Sequence, residues 1–267
     1  MADTQSLTMM DIPAPPAGDT GWARKFRDAW DGATMDGDEV NRGKKLPPTL
    51  NPVLSSNMGR TLPGSSAYWE RRYGTGRNSG PGSYNRLARF KADTVNNHIA
   101  ENRIESVMEF GCGDGNQLAL LRCPRYCGID VSATAVAHCR RTFAADRSRR
   151  FALRGEIDPG ERFDCGLSLD VIYHLLEDHV FEEHMGDLFT FATKAVIIYS
   201  SNFTQDEFEE RYKASSAPHV FHRRFTDWIG LNQPLWKLVQ WHPNAYPFDM
   251  SDQENTSFAD FHVYGRA

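Results

Sequence analysis

The stretch that most constrains this chain is Glu109-Phe110-Gly111-Cys112-Gly113-Asp114-Gly115-Asn116, glycines at alternate positions directly after the apolar run Val107–Phe110. Glycine accepts backbone conformations that a Cβ forbids, and it lets a ligand or another backbone come close. In an open parallel sheet such a turn lies at the carboxyl end of a strand, where ligand crevices form. The pattern predicts that the chain turns sharply here and opens a helix carrying Leu118, Leu120 and Leu121. A helix start would add backbone N–H donors and a positive dipole end to the crevice.

Around this turn, short apolar runs alternate with helical stretches. Val107–Phe110, Tyr126–Ile129, Phe151–Leu153, Cys165–Leu169 and Val196–Tyr199 read as strands. Leu176, Val180, His184, Leu188 and Ala192 mark one face of the clearest crossover helix. Such alternation predicts parallel β-α-β units with right-handed crossovers, a doubly wound α/β fold. Trp236–Trp241 and Phe258–Tyr264 have no comparable helix between them and read as an antiparallel hairpin closing one edge. Upstream, Leu87, Phe90, Thr94 and His98 repeat at helical spacing from Asn85 to about Ile99.

Residues 1–64 read as an N-terminal extension that is largely loop, with Pro-Ala-Pro-Pro at 13–16 and a Pro-rich stretch from Leu46 to Pro52. Only Trp22 to Trp30 suggests a short helix there. Residues 65–267 form the main domain, divided into a helical lid or cap over 65–100 and an α/β core over 101–267. The length of 267 residues, 40 % of them hydrophobic, suffices for such a core. A net charge of −5 disfavours a nucleic-acid partner. The five cysteines are scattered and odd in number, so they read as reduced thiols. Met1–Pro16 lacks the pattern of a signal peptide, and runs such as Ala195–Tyr199 are too short to span a membrane. A cytoplasmic protein without a membrane partner is the expectation, its oligomeric state open between monomer and homodimer.

Cys127-Gly128-Ile129-Asp130 ends the second strand with a carboxylate, and Ser132 follows as a helix cap. An acid there can accept both hydroxyls of a ribose. A dinucleotide fingerprint would need glycine at 116, where the chain has Asn116. The actual spacing is Gly-x-Gly-x-Gly with Glu109 two residues before it, and a glycine turn without a ligand is the plain alternative.

With these elements the sequence resembles class I S-adenosylmethionine-dependent methyltransferases from about residue 66 to the end. More narrowly it resembles a bacterial subgroup, through Tyr68-Trp69-Glu70, Asn78-Ser79-Gly80-Pro81-Gly82-Ser83, Tyr173-His174-Leu175-Leu176-Glu177-Asp178, Tyr199-Ser200-Ser201-Asn202 and Thr256-Ser257-Phe258-Ala259-Asp260-Phe261. The resemblance implies a Rossmann-like, mostly parallel sheet of seven strands with a reversed last strand, and S-adenosyl-L-methionine as cofactor. It puts Glu109, Gly111, Cys112, Gly113 and Gly115 beside the methionine portion and Asp130 on the ribose, with Val131 next to it. Glu156 falls near the adenine, although Arg154-Gly155-Glu156 departs from the usual acidic signature. Leu169 and Asp170 border the reacting methyl group, and Tyr68 and Trp69 join the cofactor residues through a lid spanning Gly74–Ser83.

Methyl transfer needs donor and acceptor aligned, and a proton removed when the acceptor is a hydroxyl. His174, just past the fourth strand, is the first catalytic candidate, or else it packs the following helix. His219 and His222 are further candidates for a base or for hydrogen bonds to a polar acceptor; a metal held by them with Asp170 lacks diagnostic spacing, so none is expected. Arg71, Arg72, Arg77, Arg86, Arg89 and Lys91 suggest either attraction for an acidic acceptor or a solvated face. Trp228, Trp236, Trp241 and Tyr246 offer ring faces for a sugar, or core packing. The leading expectation is O-methylation of a small molecule or glycan. The alternatives are N-methylation of a small amine and a non-catalytic cofactor-binding protein.

Overall fold

The computed structural model describes residues 64–267. The extension, including the helix expected over Trp22–Trp30, lies outside the described residues. The strands are β1 (Ser106–Phe110), β2 (Arg125–Asp130), β3 (Arg149–Leu153), β4 (Phe163–Leu169), β5 (Ala192–Ser200), β6 (Trp236–His242) and β7 (Asp260–Arg266). They form one seven-stranded sheet in the order β3-β2-β1-β4-β5-β7-β6. The pairs from β3 to β5 are parallel, and β7 runs antiparallel to both β5 and β6. This is the Rossmann-like, mostly parallel sheet with a reversed C-terminal hairpin. The hairpin does not simply close an edge: β7 sits between β5 and β6, and residues 243–259 loop out between its strands.

The helices are α1 (Ser65–Gly74), α2 (Asn85–Glu101), α3 (Ala133–Thr142), α4 (Asp178–Phe191), α5 (Gln205–Tyr212) and α6 (Phe225–Asn232). Both faces of the sheet are covered, which explains why β1 is buried along its whole length and reads as a continuous apolar run. Successive residues still point to opposite faces. Val107, Leu167 and Ile197 pack with Ala92, Val95 and Ile99 of α2, whereas Met108, Val196 and Ile198 pack with Met185 and Leu188 of α4. Trp236 is buried against Phe189, with ring centroids 5.4 Å apart, and belongs to this second layer.

Two helical expectations change. The turn after the glycines is not an α-helix: Leu118–Leu120 makes one 3-10 turn, and Leu121 is already extended. Few residues separate Gly115 from Arg125, and Pro124 disfavours helix at Cys123. The glycine loop therefore has no macrodipole behind it. On α2 the period holds but the stripe is rotated, since Leu87, Ala88, Lys91, Ala92, Val95 and Ile99 are the buried residues. Phe90, Thr94 and His98 lie at its margin. Lys91, expected on a cationic surface, is 0 % exposed because Asp170 neutralises it.

The first helix is tied down at long range. Ser65 N donates to Glu177 Oε1 (2.9 Å), and Ser65 Oγ accepts from Leu176 N (2.9 Å). Glu70 accepts from Ser132 Oγ (2.6 Å) and from Thr134 N (3.2 Å) and Oγ1 (2.5 Å). It thus joins Ser132, whose own Oγ accepts from Ala135 N, in capping α3.

Candidate active site

A cleft of about 680 Å³ opens over the carboxyl ends of β1, β2 and β4, within the size range of small-ligand sites. The glycines bring the chain into it at left-handed angles: φ is 85° at Gly111, 56° at Gly113 and 78° at Gly115. Gly111 lines the cleft, and a Cβ there would stand 2.4 Å from Val171 Cγ2. Gly113 is roofed instead: a Cβ would meet Ser79 Oγ at 2.3 Å and the Tyr73 hydroxyl at 2.8 Å. Gly115 packs against Phe143 and Cys139 and touches the cleft only through its neighbours. Cys112, Val131 and Leu169 line the cleft, Val131 with 48 % of its surface exposed.

Asp130 faces the cleft from the end of β2, its Oδ2 accepting from Gly113 N and its Oδ1 from Ser132 N, both at 2.9 Å. Burial pushes its carboxyl up to about 6, against the pull of these backbone donors. Burial pushes Glu109, also on the cleft wall, up to about 7, although it accepts from the Tyr126 hydroxyl at 2.5 Å.

The segment after α1 is latched over the glycine loop by Asp114. Asp114 Oδ2 accepts from Ser79 N (2.8 Å) and from the Tyr84 hydroxyl (2.9 Å), and Asp114 N donates to Ser79 Oγ (3.1 Å). The hydroxyls of Tyr73 and Ser79 lie 3.0 Å apart on the same roof. Trp69 and Tyr73 line the cleft, while Tyr68 stacks on His219 from outside it, with centroids 4.9 Å apart.

On the other side, Asp170 follows β4 in a left-handed conformation (φ 59°), strained for a residue with a Cβ. It pairs with Lys91 and accepts from the Tyr173 hydroxyl at 2.7 Å. His174 also lines the cleft, stacked on His219 at 5.3 Å with Trp69 edge-on at 5.0 Å. His174 Nδ1 lies 2.9 Å from the carbonyl oxygen of His219. A carbonyl only accepts, so Nδ1 carries the proton and Nε2 presents a lone pair. Burial drives the His174 imidazole down to about 4, leaving it neutral at pH 7.

Some expected site residues lie elsewhere. Glu156 is exposed, off the main cleft: it bonds Arg140 (2.6 Å) and reaches back to Leu153 N (2.9 Å), closing its own turn. His222 is buried, its Nδ1 2.8 Å from Ser201 Oγ and its ring stacked on Phe208 at 4.5 Å. Burial pushes it down to about 3, and it does not reach the cleft. Because the chain around it is not helical, three-residue spacing does not put His219 and His222 on one face. Among the described residues no three His, Cys, Asp or Glu side chains gather to hold a metal. Trp228, Trp236, Trp241 and Tyr246 also stay off the cleft wall. Conversely, spacing did not single out Asp114, Lys91 or Glu70. Only Lys91 left a trace, four residues after Leu87 on the buried stripe.

Residues 108–185 match the family profile described as a methyltransferase domain. Among solved structures, the chain is similar to N-methyltransferase NodS from Bradyrhizobium japonicum WM9, in complex with S-adenosyl-L-homocysteine, at 15 % identity and TM-score 0.54, covering 76 % of this chain and 99 % of that one. It is also similar to magnesium protoporphyrin IX methyltransferase from Synechocystis PCC 6803, at 12 % identity and TM-score 0.52, covering 78 % and 100 %. A third likeness is to small RNA methyltransferase HEN1, at 18 % identity and TM-score 0.51, covering 69 % of this chain and 26 % of that one. No curated protein matches. The domain match and the fold together support an S-adenosylmethionine-dependent methyltransferase. Among the described residues no helix is long and apolar enough to cross a membrane.

Proposed function

We propose that this chain transfers a methyl group from S-adenosyl-L-methionine to a hydroxyl of a small molecule, with His174 as general base. The tautomer of His174 carries the reading: Nδ1–H is held by the His219 carbonyl, which leaves the lone pair on Nε2 of a ring that lines the cleft.

The residues present fit the cofactor. Gly111 brings backbone to the cleft at the end of β1, and Asp130 offers a buried carboxylate that accepts from Gly113 N and Ser132 N at 2.9 Å and has lone-pair capacity left for ribose hydroxyls. Glu109, Cys112, Val131 and Leu169 complete the wall, and Trp69 and Tyr73 cover it. When bound, the cofactor supplies a methyl carbon on a positive sulfur, whose C–S bond breaks as the acceptor oxygen bonds to carbon. The chain's part is to align the acceptor, keep water out beneath residues 65–85, and take the hydroxyl proton on His174 Nε2. The lid over 65–100 and the core over 101–267 are the working division.

The test begins with calorimetric titration of S-adenosylmethionine into wild type and Asp130→Ala, with NAD as control. Binding that collapses in the variant, with NAD silent, is expected; preference for NAD would overturn the cofactor assignment. Affinity for S-adenosylhomocysteine should also rise as pH is raised through about 6, where Asp130 ionises. Once an acceptor is found, His174→Gln should lower kcat by about 10²–10⁴ for a hydroxyl. An unchanged kcat would point instead to an amine, which needs little base assistance.

A further inference from the structure

Resting on that reading, we infer that the acceptor is a planar aromatic compound, a phenol held against Phe248 and Phe258, with Phe208 packed behind them. These rings line the same cleft on the β5–β7 side, beyond β1 and β4 from Asp130. Phe258 lies 5.3 Å from Phe248 and 6.1 Å from Phe208, centroid to centroid, and Tyr212 backs Phe248 at 5.0 Å. Phe208 is buried with its face on His222, so the ring faces left for an aromatic guest are those of the half-buried Phe248 and Phe258. Met250 lines the cleft too, although 45 % of its surface is exposed.

The wall is built for this. Residues 243–259 form a loop longer than the ~12 residues beyond which loops are usually functional. Asn244 braces it, accepting from Tyr246 N (2.9 Å) and donating to Asp260 Oδ1 (2.8 Å) and Ser257 O (2.9 Å). Several polar side chains along the wall are already engaged by the protein. Ser216 bonds Gln205 and Val220 O, Thr256 bonds Asp252 O, and Gln253 bonds Met250 O. Ser215 and Glu254 are exposed. A sugar would find few free partners here, and the tryptophans and tyrosine that might have stacked on one are elsewhere.

The chemistry agrees with the packing. A phenol ionises near ~10 and an alkyl hydroxyl near water's ~15.7. Proton transfer to an imidazole held near 4 is uphill by about six powers of ten from the first and about twelve from the second. In the step, the phenol proton passes to His174 Nε2. The phenolate lone pair forms the C–O bond while the C–S pair stays on sulfur, and the imidazolium returns its proton to solvent.

The test titrates 2-naphthol into the full chain saturated with S-adenosylhomocysteine, and separately follows its methylation from S-adenosylmethionine. Saturable binding and a methyl ether product are expected. Phe248→Ala and Met250→Ala, at partly exposed positions, should weaken naphthol at least fivefold with S-adenosylhomocysteine affinity unchanged, and Phe248→Tyr should restore it. No naphthol binding, equal binding in the variants, or turnover of hexoses and alditols in its place would overturn the inference. Ring-dependent binding without methyl transfer would keep the aromatic subsite and remove the hydroxyl reading.

Discussion

On the β1–β2 side of the cleft, position is set by carboxylates: Asp130 on the glycine loop, Asp114 under the lid and Glu70 at the start of α3. On the β5–β7 side it is set by rings: His174 on His219, His222 on Phe208, and Phe258 among its neighbours. The first side holds directional contacts that suit a cofactor of fixed shape, and the second offers dispersion surface that tolerates a range of guests. The two sides also titrate oppositely. Glu109 and Asp130 are pushed up to about 7 and 6, whereas His174 and His262 are pushed down to about 4, in every case by burial. Asp260, raised to about 6 at the start of β7, is the exception on the ring side.

Breaking the seam between the sides should have the largest effect. Lys91→Met leaves the Asp170 carboxylate without its buried cation and should cost about 3–5 kcal/mol in urea denaturation. The double variant Lys91→Met, Asp170→Asn should recover much of that. A loss below about 1 kcal/mol in the single variant would show the pair to be dispensable.

The next effect is read against pH. A raised carboxyl contributes most below its unfolded value of about 4 and loses that contribution as pH rises through 6–7. A depressed imidazole contributes fully above about 6.5 and loses that contribution as pH falls through 4. On acidification from 7 to 4.5, hydrogen exchange should therefore quicken in β5, β7 and β6 before β1, β2 and β3. His262→Phe, at a buried site against Phe225, should flatten the acid loss by up to about 3 kcal/mol. Parallel loss across both halves would break the contrast.

Asp114→Ala removes the latch to Ser79 and Tyr84; it should cost about 1–3 kcal/mol and weaken S-adenosylhomocysteine about tenfold by calorimetry. Smallest is Glu70→Ala, about 0.5–2 kcal/mol from the lost cap of α3. Undiminished cofactor affinity in Asp114→Ala would mean that the lid closes without its latch.

The carboxylate side was the more legible in sequence, because its signals are local. Alternate glycines after an apolar run, and an acid ending the next strand, specify turns and neighbours within a few residues. What escaped depends on partners distant in sequence: Ser79 lies 35 residues from Asp114, and Lys91 lies 79 from Asp170. The helix expected after the glycines failed because Pro124 and a short connection outweigh three leucines. Glu156 carried the expected residue type, yet Arg140 and its own turn hold it at the surface. The ring wall gave no motif at all, since Phe208, Phe248 and Phe258 meet only after the β6–β7 hairpin forms.

The anchoring of Ser65 on Glu177 has a consequence during synthesis. The two are 112 residues apart, so at ribosomal rates roughly 6–22 s separate the making of one from the making of the other. Contacts of such high order form late. The start of α1 is thus made long before its partner, and until Glu177 emerges only the later anchors, Glu70 on Ser132 and Ser79 on Asp114, can hold the cover over the glycine loop.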